Sequence, residues 1–202
     1  MKGKIVLATL LSCSLVGVAF AGFLYGDGDN LADNSATPVI DNITFSKTMN
    51  TTVSLAEGDK LVLDGAKGDV SGRVKTTGEG EDLSITINIT VSGTKTVFEY
   101  AEINANDING VITNKYLKLS DESKSIPVSE FKLEQDGDIN TYTITKELKF
   151  VWSEKFNSMN PSLYFDEDET GKSLSLQEVS DELNSFKAAV DNTELTLSVV
   201  TR

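Results

Sequence analysis

The chain has 202 residues and a net charge of −13, with 18 basic against 31 acidic residues, no histidine and one cysteine. That acidity argues against a nucleic-acid partner, since phosphate binding needs a basic patch. The lack of histidine excludes Ser-His-Asp and Cys-His constellations, and zinc and copper sites lose their usual ligands.

The chain opens with Lys2 and Lys4, then runs uncharged from Ile5 through Tyr25. Ala19-Phe20-Ala21 ends in small residues at the positions signal peptidase reads, so residues 1–21 predict a secretory signal cut before Gly22. The run is also long enough for an uncleaved anchor, but Gly17, Gly22 and the A-x-A exit favour cleavage. Lipidation at Cys13 is disfavoured, because the apolar run continues well past it. Membrane contact is therefore expected only through the signal segment. Cleavage removes Lys2, Lys4 and Cys13, leaving 16 basic against 31 acidic residues, a net charge of −15. An exported chain without disulfides points to a prokaryotic surface, and to a secreted or cell-surface location.

Residues 22–38 are rich in Gly, Asp and Asn and read as a flexible lead-in, with an apolar triplet at Phe23-Leu24-Tyr25. Residues 39–202 read as one domain. Ile43 and Phe45, Val53 and Leu55, then Leu61 and Leu63 alternate with polar neighbours, with a turn at Glu57-Gly58-Asp59. The clearest strand is Asp82 to Ser92, where Leu83, Ile85, Ile87, Ile89 and Val91 alternate with polar residues. Such alternation predicts one buried and one wet face. Further strands are expected over Thr96 to Ile103, Gly110 to Leu119, Ile126 to Leu133 and Ile139 to Trp152. The last is expected over Thr193 to Val200.

One helix interrupts this pattern. Leu176, Val179, Leu183, Phe186 and Val190 stack on one side of a 3.6-residue period. Ser175 and Glu178 form a capping box at its start. About nine or ten strands with a helix near 175–190, packed on an end or edge of the sheets, predict a mostly β fold. The expected form is an antiparallel two-sheet sandwich, jelly-roll-like.

No nucleotide-binding fingerprint is present. Paired carboxylates for glycoside hydrolysis remain open on 31 acidic residues, with nothing to favour a particular pair, so the chain is read as no enzyme. Asp166-Glu167-Asp168-Glu169 is the densest acidic run. Asp166 and Asp168 are weak candidates for calcium, but adjacent carboxylates repel and no 12-residue calcium loop is present. Otherwise no cofactor or metal is expected. Asp27-Gly28-Asp29-Asn30 is a weaker case. Asn42, Asn50 and Asn88 open N-x-[ST] triplets and are expected to be exposed. Phe150, Trp152, Phe156 and Tyr164 read as anchors in the core rather than a ligand platform.

The Ala19-to-Asp27 exit and lead-in, the Leu83-to-Val91 alternation and the terminal Leu195-Thr196-Leu197-Ser198-Val199 together resemble the TasA/camelysin-like exported proteins of prokaryotes. That resemblance implies a jelly-roll domain and, for several members, extracellular fibres built by donating an N-terminal strand to the next subunit. Physically, an open sheet edge accepts an extended segment through main-chain hydrogen bonds. Val39, Asn42, Ile43 and Phe45 are the expected donor residues. The expected role is a surface filament or matrix subunit that self-associates into a homopolymer. The alternative is a monomeric secreted binding or adhesion module for carbohydrate or another surface ligand, using aromatics near Trp152 to Tyr164.

Overall fold

The computed structural model describes residues 19–20, 23–25, 39–47, 50–63, 74–76, 80–166, 170–171, 173–191 and 193–202. Among these the chain is mostly β, with several antiparallel sheets and two helices. Fourteen strands appear, several of only two or three residues.

The large sheet is built on β8 (Ser84–Thr94) and β13 (Ile139–Trp152), paired antiparallel from Ile139↔Thr94 to Lys149↔Ser84. The predicted alternation sets its faces. Ile85, Ile87, Ile89 and Val91 are buried, as are Tyr142, Leu148, Phe150 and Trp152 from the facing parity of β13. Each such side chain contributes about 1.5–3 kcal/mol on leaving water. On the outer face Ser92 bonds Thr141 across the strands at 2.9 Å, and Thr145 donates to the Asn88 amide oxygen at 2.7 Å. β5 (Thr51–Leu55) pairs the far side of β8. β10 (Leu117–Leu119) and β12 (Lys132–Asp136) pair β13 on its other side.

The second sheet runs β11 (Ser125–Pro127), β9 (Tyr100–Asn106), β14 (Leu195–Thr201) and β4 (Ile43–Lys47). Its last pair, β14 with β4, is parallel, which departs from the expected all-antiparallel pairing. β3 (Val39–Ile40) pairs β6 (Leu61–Val62), and Val62 makes an isolated bridge to Asp82, two residues before β8. Ala19–Phe20 (β1) and Phe23–Tyr25 (β2) form a small sheet with Val74–Thr76 (β7). The apolar triplet of the lead-in is thus a strand, and β1 lies inside the predicted signal.

Three expected strands differ. Of Gly110 to Leu119 only the last three residues are extended. The Asp107 carboxylate, 5% exposed, accepts the backbone N–H groups of Ile112 and Thr113 at 2.9 and 2.8 Å and winds the segment into turns. Gly110 has no room for a Cβ, which would stand 2.3 Å from Thr193 Oγ1. Ile126 to Leu133 divides into β11 and β12, because a 3-10 turn at Val128–Glu130 carries the chain from one sheet to the other. Its start, Pro127, has no N–H to continue a ladder. Thr96 to Ile103 shifts to Tyr100–Asn106, since Lys95, at φ 51°, turns the chain away after β8.

Helix α1 (Pro161–Tyr164) is one turn, capped by Asn160, whose Oδ1 accepts from Ser162 N at 3.0 Å. Helix α2 (Leu176–Asp191) follows the predicted periodicity, and Ser175 and Glu178 exchange hydrogen bonds as a capping box. Val179, Leu183 and Phe186 are fully buried on its inner face. Phe186 packs on Tyr116 and Trp152, so the helix closes one end of the core as expected.

Candidate functional site at the amino-terminal edge

β3 and β4 hold the expected donor residues. Ile40 reaches the core at 2% exposure, while Val39, Ile43 and Phe45 are half-buried and Asn42 is exposed. β4 is the end strand of its sheet, and β14 is its one neighbour in the sheet order. The register places Ile43 beside Leu195, Thr44 beside Thr196 and Phe45 beside Leu197. Leu195 N donates to Asn42 O at 3.1 Å, and the Thr44 and Thr196 hydroxyls stand 3.2 Å apart on the outer side. The remaining strands of that sheet, β14, β9 and β11, pair without β4.

Of the expected aromatic anchors Phe150, Trp152 and Phe156 lie in the core, while Tyr164 is half-buried at its margin. Trp152, Phe156 and Phe165 are at most 4% exposed. Phe156 meets Tyr116, Phe165 and Phe186 with ring centroids 5.3–5.8 Å apart, in the tilted and edge-on geometries aromatic pairs favour. No coplanar row faces solvent there. The Glu81 carboxylate accepts both the Trp152 indole N–H and an Asn160 amide N–H. Sequence alone gave no hint of this role, because Glu81 lies in a Gly-Glu-Gly-Glu-Asp run that reads as a solvated turn. A cleft of about 450 Å³ opens beside it, lined by Glu81, Ser84, Glu147, Lys149, Val151 and Trp152 among others.

Asp166 is buried at 4% exposure, and Asp168 lies outside the described residues, as do Asp27 to Asn30. Among the described residues no three acidic side chains converge on a common point. Asn42 and Asn50 are exposed. Asn88 differs from expectation: it is half-buried in a central strand and already holds Thr145. At the predicted cleavage point Ala19 is in β1, while Ala21 and Gly22 lie outside the described residues. No described helix is long and apolar enough to cross a membrane.

No family model matches the chain, and comparison with curated proteins and with solved structures finds no match.

Proposed function

We propose that the chain is an extracellular structural subunit of a surface filament or matrix, built as a two-sheet, jelly-roll-like sandwich and assembled by exchange of its amino-terminal strand. The observation that carries this reading is the place of β4. It is amino-terminal, only half-buried, and paired to one neighbour at the end of a sheet. Its detachment leaves the β14, β9 and β11 ladders closed and asks in addition only that the two-residue β3 leave β6. The same segment of another copy satisfies the β14 edge equally well, with Ile43 and Phe45 covering the same apolar ground. The two main sheets share one hydrophobic cluster, which supports the sandwich reading.

Burial of Trp152, Phe156 and Phe165, with Tyr164 half-buried, leaves little aromatic surface in that segment and favours assembly over a carbohydrate-binding face. The test is electron microscopy with size-exclusion chromatography on the chain starting at Gly22. Filaments or an oligomer ladder are expected, and removing Gly22 to Phe45 should abolish them. Unchanged oligomer size after that deletion contradicts strand exchange.

A further inference from the structure

The outer face of the large sheet is small, polar and uncharged at its centre. From Thr86 to Ser92 on β8 and from Thr141 to Thr145 on β13, every outward side chain is Ser, Thr or Asn. All are exposed or half-exposed. The rim carries a pattern that is symmetric about Thr145. Ile139 and Val151 lie equally far from it along β13, both pointing outward, 46% and 38% exposed. Towards the Val151 end come Glu147, Lys149 and then Lys118, which sits beside Val151 on β10. Towards the Ile139 end, β12 places Lys132 beside Thr143, Glu134 beside Thr141 and Asp136 beside Ile139. Matched by distance from Thr145, the signs are opposite at every step. Glu147 answers Lys132, Lys149 answers Glu134, and Lys118 answers Asp136.

We propose that this face is a self-association surface, on which a second copy packs face to face about a two-fold axis passing by Thr145 and running across the strands. Such a rotation reverses strand direction but keeps the β10 and β12 side of β13 on the same side. Each of the three charge pairs and the Val151–Ile139 contact therefore forms twice, as an isologous interface requires. The cleft at the Val151 end gives the partner's Ile139 a recess to enter. A chain of net charge −13 repels its own copies over most of its surface. Here that repulsion is replaced by six attractive contacts around a neutral centre.

The shared span of β8 and β13 is about 36 Å long and three strands are about 14 Å wide, so roughly 500 Å² per copy is covered. The total of about 1,000 Å² sits at the lower limit for a specific contact. Lys132 and Glu134 bond each other at 2.7 Å in the single chain. Both are exposed, so trading that pair for intermolecular ones costs little. The contact needs no strand exchange and adds to it: exchange extends a filament, while this face joins two chains or two filaments side by side.

The experiment is sedimentation of the purified chain across a concentration series, with electron microscopy of any filaments. Reversible pairing that weakens with salt is expected, seen as dimers or laterally doubled filaments. Lys149→Glu should weaken pairing about tenfold by turning two attractive contacts repulsive, and adding Glu134→Lys should restore it. Ile139→Asp should weaken it as well. Restoration by the double exchange separates a lost contact from a misfolded variant. A chain that never pairs, a Lys149→Glu variant that pairs like the parent, or a double variant that stays unpaired would each overturn the proposal. Loss of filament growth with pairing intact counts against strand exchange alone.

Discussion

The Asp59 carboxylate accepts the backbone N–H of Thr86, near the start of β8. Beside it, Thr86 O takes the N–H of Ala56, and the next rung is Val62 with Asp82. The turn between Ala56 and Leu61, with Gly58 at φ 79°, thus inserts extra residues along the edge of β8. A side chain fills the place where a main-chain acceptor is missing.

Removing that acceptor leaves a part-buried amide without its partner. Asp59→Ala is expected to destabilise the fold by about 1–3 kcal/mol. Asp59→Asn, which keeps an oxygen acceptor, should cost less. Denaturant titration of the three proteins checks the order, and equal stability would contradict the role assigned to Asp59.

Glu81 holds two donors at the aromatic end of the core. Glu81→Ala leaves the Trp152 and Asn160 N–H groups to find water and should cost about 1–3 kcal/mol. Trp152 is the only tryptophan in the chain and is 4% exposed, so its fluorescence reports on this end alone. A red-shifted emission is expected in the variant while the far-ultraviolet spectrum stays folded.

The alkaline limit of stability has a specific source. Burial, and then the Glu182 carboxylate, pushes the Tyr116 phenol up to about 12. Unfolded tyrosine ionises near 10. The contribution is therefore fully present below pH ~10 and is lost as pH rises through the folded value near 12. Phenolate absorbance should show a late-titrating component that Tyr116→Phe removes, together with this part of the alkaline instability.

On the acid side, hydrogen bonds from the Ser175 backbone and hydroxyl hold Glu178 below its usual value of 4.5. A lowered carboxylate stabilises above its unfolded pKa and loses that contribution as pH falls through the folded one. The start of α2 should therefore fray first in acid, and Glu178→Gln should blunt the pH dependence of its amide-exchange protection.

The long elements were legible because burial imposes a period. Five alternations from Leu83 to Val91 left only one way to place β8, and the 3-4-3-4 spacing from Leu176 to Val190 defined α2. Turns that rest on a single buried side chain were not legible. Asp107 winds a segment whose Val111, Ile112, Tyr116 and Leu117 look extended in sequence, because its carboxylate competes for backbone N–H groups that a strand would have used. The parallel pairing of β4 with β14 was hidden for another reason: nothing local encodes the direction of a partner some 150 positions away. Of the expected donor residues Ile43 and Phe45 lie on the β4 edge while Val39 pairs β6, and Thr196, across from β4, carries no signal beyond its place in an alternating strand.

Strand exchange makes a direct covalent prediction. Thr44 and Thr196 stand side by side in parallel register with their hydroxyls 3.2 Å apart, so cysteines at the two positions face each other. The chain has no cysteine beyond Cys13, so a Thr44→Cys, Thr196→Cys variant cut before Gly22 reports only this contact. Oxidised after assembly and run under denaturing, non-reducing conditions, it should give a ladder of covalent multimers that collapses on reduction. A single monomer band, with both cysteines consumed within one chain, would show that β4 stays in its own sheet and would contradict assembly by exchange.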